Sequence, residues 1–303
     1  MTRPGSITLG VLFMVGFAMI APVMDTAAKL IGDAVAVGQV ATTRFVFQVA
    51  LLLPLAWLAG WLHRPRPGEI RLHVARAALL LVATSCFFFS LRYMPVAEAI
   101  SIFFVEPFIL TLLGAWLLSE PIGPLRYVAC AVGFAGALLI IQPSFQTVGF
   151  VALLPLVTAC LFALYMVLTR RMATAMHPIT LQAYTGMAAL VLALPILFAM
   201  NGSGIAELDP SWPAPRELWL LAAVGLIATL SHVFISFALA FAPASTVAPL
   251  QYLEIVSATI MGFYVFGELP NGLTWVGIVL IVGSGLFVFL RERHLERRPP
   301  PPP

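Results

Sequence analysis

The sequence predicts an all-α integral membrane protein: ten transmembrane helices arranged as two inverted five-helix repeats. Three observations carry that prediction. Of the 303 residues, 61% are apolar and only 10% charged, against roughly 45–50% and about 25% in soluble domains, so the excess must be solvated by lipid. Ten apolar blocks each approach the roughly 20 helical residues that a bilayer core about 30 Å thick requires, and open sheets cannot satisfy their backbone groups in hydrocarbon. Finally, the second half of the chain repeats the first at a fixed offset.

The blocks run over residues 8–31, 38–62, 72–93, 96–118, 125–142, 148–170, 178–200, 217–240, 244–266 and 273–290. The first follows Arg3, as a signal peptide would, but it continues through Asp25 and Lys29 without a clear cleavage site; it reads as a retained helix. The second stops at His63-Arg64-Pro65-Arg66-Pro67-Gly68 and the fourth at Glu120-Pro121-Ile122-Gly123-Pro124, both rich in turn residues. The fifth and tenth are the shortest. Between the seventh and eighth lies the longest break, Asn201–Arg216, with Gly202, Gly204, Pro210, Pro213 and Pro215. After 290 come a basic segment, Arg291 to Arg298, and five prolines, expected to be extended. The domains are thus a first repeat, 1–145, a second, 146–290, and a cytoplasmic tail, 291–303.

Basic residues set the orientation. On the N-terminal side lie Arg3, Arg64, Arg66, Arg71, Arg76, Arg126, Arg170, Arg171, Arg291, Arg293, Arg297 and Arg298. The other side holds Lys29, Arg92 and Arg216, and Arg44 lies within a span. Both termini are therefore expected in the cytoplasm, which agrees with an even number of spans.

At an offset of 148, Leu91, Pro95, Glu106, Thr111, Gly114, Glu120, Leu125 and Val128 fall on Leu239, Pro243, Glu254, Thr259, Gly262, Glu268, Leu273 and Val276 without a gap. Apolar coincidences are common in such a chain. Two coincident glutamates with Pro, Thr and Gly are not. A weaker match at 141 places Lys29 on Arg170. Each half holds an odd number of spans, so the second copy enters from the opposite face. Such inverted repeats characterise carriers that hold solute near the midplane between their halves.

The residues Pro95…Leu118-Ser119-Glu120-Pro121…Gly133-Phe134-Ala135-Gly136, with Pro243…Phe266-Gly267-Glu268-Leu269…Gly283-Ser284-Gly285, make the chain resemble the drug/metabolite transporter superfamily, EamA type. The likeness spans essentially 8–290. It implies a secondary transporter of small metabolites in a bacterial inner membrane, working by alternating access, as a monomer or a homodimer. Export of amino acids is the expectation, by similarity to the ten-helix aromatic amino-acid exporters. Uptake of a cofactor or vitamin such as riboflavin or S-adenosylmethionine is the alternative.

A charge at the centre of a spanning helix costs roughly 2.5–3.5 kcal/mol by insertion scales, so each needs a reason. Glu106 and Glu254 are each the eleventh residue of their block, at mid-depth on opposite walls of the expected cavity. Each can carry a proton or meet a substrate ammonium, or simply stabilise a helix break, since Pro107 follows Glu106. Protons are therefore candidate partners alongside the small-molecule substrate and the lipid. Asp25 and Arg44 lie at equal depth, about 9 Å inside the far face, and are expected to form an ion pair, either a gate-side or packing pair or a carboxylate or amine anchor for substrate, with Lys29 reachable from Asp25 at i, i+4. His232, aligned with Thr84, is either an interhelical hydrogen bonder or a ligand contact. Ser101 and Phe103 before Glu106, and Gln251 and Tyr252 before Glu254, are the best candidates for lining. Glu120 and Glu268, at span ends, read as caps or partners of a loop cation.

Other classes are poorly supported. The formal net charge is +3 without a basic face, so no nucleic acid is expected. Cys86, Cys130 and Cys160 stand singly in apolar runs, which argues against disulfides and zinc; neither metal nor cofactor is expected. An intramembrane enzyme would need motifs that are lacking: Val282 stands where a rhomboid-type G-x-S-G before Ser284 needs its first glycine. A passive channel does not predict paired glutamates in an inverted repeat. A reporter fused after Arg298 is expected to be active only if it works in the cytoplasm; activity of a periplasmic reporter there would reverse the orientation.

Overall fold

A computed structural model describes residues 4–118, 124–173, 176–242 and 248–296. Eleven α-helices are seen among them: α1 (Pro4–Ile31), α2 (Val37–Leu58), α3 (Pro67–Leu91), α4 (Val96–Phe103), α5 (Glu106–Leu118), α6 (Pro124–Val148), α7 (Leu154–Ala173), α8 (Pro178–Met200), α9 (Pro215–Phe241), α10 (Leu253–Met261) and α11 (Gly272–Glu296). The described residues contain no strand. Seven helical segments are long and apolar enough to cross a membrane. One of these, Tyr127–Thr169, spans 43 residues and contains most of α6 and α7, and two shorter apolar segments are Leu250–Phe266 and Gly272–Val288.

Local chemistry explains the breaks. Gly60 takes a positive φ of 70°, and Trp61 N donates to Ala56 O at 2.9 Å, a glycine-terminated helix end that closes α2 four residues before the expected boundary. The fourth expected span is interrupted at Phe104–Val105. Pro107 cannot donate to the carbonyl four residues back, so α4 stops there; the same residue is well tolerated in the first turn of α5. The ninth opens with a 3-10 turn, Ala248–Tyr252, before α10, and ends in a π-helical turn, Gly262–Phe266, stopped by Gly267 at φ 69°.

The helices pack in pairs: α1 on α9, α3 on α7, α2 on α8, and α6 on α11. The α6–α11 contact needs glycine on both sides. A Cβ on Gly277 would lie 2.6 Å from Gly136 O, and one on Gly136 would lie 2.8 Å from Gly277 O. Close backbone approach through small residues is how lipid-embedded helices gain contact. Gly133, one turn before Gly136 on α6, packs against Phe108 instead.

Loops at each end of the bundle join one another. At one end Lys29 Nζ donates to both Glu268 carboxylate oxygens at 2.7 Å and to Met94 O at 3.0 Å. There Arg92 donates to Asp33 Oδ1 and Val35 O, and Gly38 N donates to Glu207 O. At the other end Thr180 Oγ1 donates to Trp61 O at 3.2 Å, Tyr184 Oη donates to His63 O, and the Trp61 and His177 rings stack at 3.8 Å. Trp57, Trp212 and Trp219 stand exposed near helix ends, as interfacial anchors do.

Gly277→Val is expected to destabilise the protein by about 1–3 kcal/mol through overpacking. The melting temperature of purified protein measures this. Gly283→Ala, whose Cβ would meet nothing within 4 Å, serves as the silent comparison.

Candidate functional site

A cavity of about 110 Å³ opens among the helices, partly continuous with the outside. Its apolar wall is aromatic: Phe17, Phe87, Phe88, Phe103, Phe104 and Phe162. Its polar groups arrive from separate elements: Asp25 from α1, Arg44 from α2, Thr84 from α3, Glu106 from α5, Ser231 and His232 from α9, Gln251 from the 3-10 turn and Glu254 from α10.

Helix ends explain two of these placements. Glu106 is the first residue of α5 and Glu254 the second of α10, where the unpaired N–H groups of a first turn favour a carboxylate. Arg44, 3% exposed, sits midway along α2. Its Nη1 donates to Thr84 Oγ1 at 2.7 Å and its Nη2 to His232 Nε2. A guanidinium can only donate, so Nε2 is the acceptor and a neutral ring carries its hydrogen on Nδ1. Asp25 lies within electrostatic reach of both Arg44 and Glu254. No hydrogen-bond partner meets Asp25 Oδ1, Arg44 Nε or Ser231 Oγ, all buried.

The structure thus brings Asp25, Arg44, Phe103, Glu106, His232, Gln251 and Glu254 to one cavity, and three expected residues do not line it. Ser101 is wholly buried and donates to Ala97 O one turn back at 2.6 Å. Tyr252 packs on Phe104, with ring centroids 5.2 Å apart, and its hydroxyl occupies the space a Cβ on Gly285 would take. Lys29 points away from Asp25 to bind Glu268, because a nearby carboxylate at the bundle end is a better partner than one in the interior; the cation that Glu268 meets thus comes from the last turn of α1. Asp25 and Arg44 share the cavity without an ion-pair contact, since the terminal nitrogens of Arg44 are already engaged. Glu120 lies outside the described residues.

Some polar residues escaped the sequence reading. Glu98 accepts from Ser144 Oγ at 2.8 Å and from Thr274 Oγ1 at 3.4 Å, tying α4 to α6 and α11; an acid three residues after Pro95 inside an apolar run was its signal. Arg76, counted from the sequence with the basic residues of the N-terminal side, is fully buried. It donates to Thr169 Oγ1, Thr185 Oγ1 and Tyr165 Oη at 3.1, 2.7 and 3.0 Å, hydroxyls that α7 and α8 supply in place of water.

Long apolar helices packed around a charged, aromatic-walled cavity define a multi-pass membrane protein. The chain belongs to the EamA-like transporter family, whose pattern matches residues 8–142 and again 149–290. It is similar to a riboflavin transporter of Rhizobium johnstonii, 30% identical over 255 residues, 84% of this chain and 80% of that one. It is also similar to an S-adenosylmethionine uptake transporter of Rickettsia felis, 27% identical over 278 residues, 90% of each chain. A crystal structure superposes with a TM-score of 0.66 over 97% of this chain and 100% of its own, at 18% identity; that likeness concerns the fold alone.

Thr84→Val, which removes the acceptor of Arg44 Nη1, is expected to cost about 1–3 kcal/mol of stability by stranding a buried charged donor. Thermal unfolding in detergent reads the effect. An unshifted midpoint would mean that Thr84 is not holding the guanidinium.

Proposed function

We propose that the protein is a secondary carrier that takes up a small metabolite with a flat ring system, by alternating access through the cavity between two inverted five-helix repeats. The observation carrying this reading is the central cavity, where the repeat-equivalent Glu106 and Glu254 meet an aromatic wall. Ten spans are supported by the split of the 43-residue segment into α6 and α7 and by the two shorter apolar segments. Loops that a ten-span path would put on one face also bond to one another. The packing is itself two-fold: exchanging first-half helices for their second-half counterparts turns α1 on α9 into α7 on α3, and leaves α2 on α8 and α6 on α11 unchanged. The break before α5 and the start of α10 fall at equivalent positions, and the double family match fits the same duplication. Discontinuous helices at the repeat interface are where carriers of this kind bind solute.

The relatives are named for a vitamin and a cofactor. This favours the uptake alternative over the amino-acid export expected from the sequence. The reading places the chain in a bacterial inner membrane with both termini in the cytoplasm.

Proteoliposomes should show saturable uptake of labelled riboflavin or S-adenosylmethionine, exceeding that of aromatic amino acids. Linear, unsaturable flux of all of them would indicate a pore instead. Protons are the candidate coupling ion, with Glu254 as carrier: Glu254→Gln should abolish the dependence of uptake on an imposed pH gradient, and an unaltered dependence would remove Glu254 from that role.

A further inference from the structure

We infer that the cavity selects a zwitterion, a flat ring bearing both a cationic group and a carboxylate, over a neutral heterocycle. The inference rests on the carrier reading and sharpens its substrate class. A buried polar atom without a partner costs about 1–3 kcal/mol, and a charged one more. Such atoms gather at this cavity: Asp25 Oδ1, Arg44 Nε and Ser231 Oγ have no partner, and among the described residues no hydrogen bond reaches the Glu254 carboxylate. All four residues line the same space.

Their signs are arranged. Asp25 and Glu254 lie within electrostatic reach of each other, so the two carboxyl groups resist ionising together unless a cation stands beside them, and an ammonium or sulfonium would supply it. Arg44 has committed Nη1 and Nη2 to Thr84 and His232, so the guanidinium is fixed in orientation while its Nε–H stays unused. Ser231, next to His232, adds a second unused donor at the same cavity. Two donors, one of them charged, suit a carboxylate. The phenylalanines can stack a planar ring. A neutral flavin would fill the aromatic part and could hydrogen-bond these groups, but it brings no opposite charge to any of them.

The test is equilibrium binding to the purified full-length chain in lipid nanodiscs. S-adenosylhomocysteine and 5′-methylthioadenosine share purine, ribose and thioether, and only the first carries an ammonium and a carboxylate. The zwitterion should bind about 10- to 100-fold more tightly, the range set by one or two charge-assisted hydrogen bonds. Arg44→Gln and, independently, Glu254→Gln should each narrow that ratio. Because the ratio is read first on the unsubstituted protein, misfolding of a variant cannot decide the result. Equal affinity for the two nucleosides, or no binding of either, overturns the inference. Saturable riboflavin uptake by a protein blind to the amino-acid group would overturn it and leave the carrier reading standing, whereas the absence of saturable uptake of any metabolite would strike the carrier reading itself.

Discussion

Arg44 ties three helices together in the middle of the bundle, and the rest of the interior is organised around that tie. Its guanidinium is almost wholly buried, so most of its donors have to be met by protein. Thr84 on α3 and His232 on α9 meet two of them, which fixes the angles at which those helices approach α2. The same constraint recurs for Arg76, whose hydroxyl partners come from α7 and α8, and for Glu98, which draws hydroxyls from α6 and α11. Dispersion between apolar side chains gives little orientation in lipid, where every face is equally well solvated. The few buried polar groups supply it.

The two ends of the bundle are closed by different chemistry. One carries ionic contacts, Lys29 with Glu268 and Arg92 with Asp33. The other is held mainly by an aromatic stack and hydrogen bonds to backbone carbonyls around Trp61, His63, His177 and Tyr184, with one local contact of His63 to Glu69. Salt screens the first kind of contact and hardly touches the second. Between these ends lies a cavity whose wall is drawn from helices of both halves, so movement of one half against the other necessarily reshapes it.

Most of the architecture was legible because lipid imposes a simple rule on composition and length. The helices fall close to the apolar blocks, and the offset of 148 that paired Glu106 with Glu254 paired two residues that do share a cavity. What escaped was geometry within a turn. Ser101 sits five residues before Glu106, yet its hydroxyl turns back to its own helix. Spacing along a helix does not say which way a side chain faces once a break intervenes. Arg76 was counted by its position near a basic loop, and counting cannot reveal that three hydroxyls from distant helices wait to receive it. Lys29 likewise found a partner 239 residues away rather than one a turn back. Local spacing proposes partners, and tertiary packing chooses among them.

Gly285 and Tyr252 leave no clearance between α11 and the turn that leads into α10. Glu254 follows Tyr252 by two residues, so the fit of α11 against the tyrosine bears on the turn that carries this carboxylate. Substrate range in such a scaffold can therefore drift by substitutions outside the lining. A larger residue at 285 would displace the Tyr252 hydroxyl and press on the turn that leads to Glu254 without any substitution in the cavity lining. Relatives with identical cavity residues can thus diverge in what they carry, and comparison of linings alone would miss the cause.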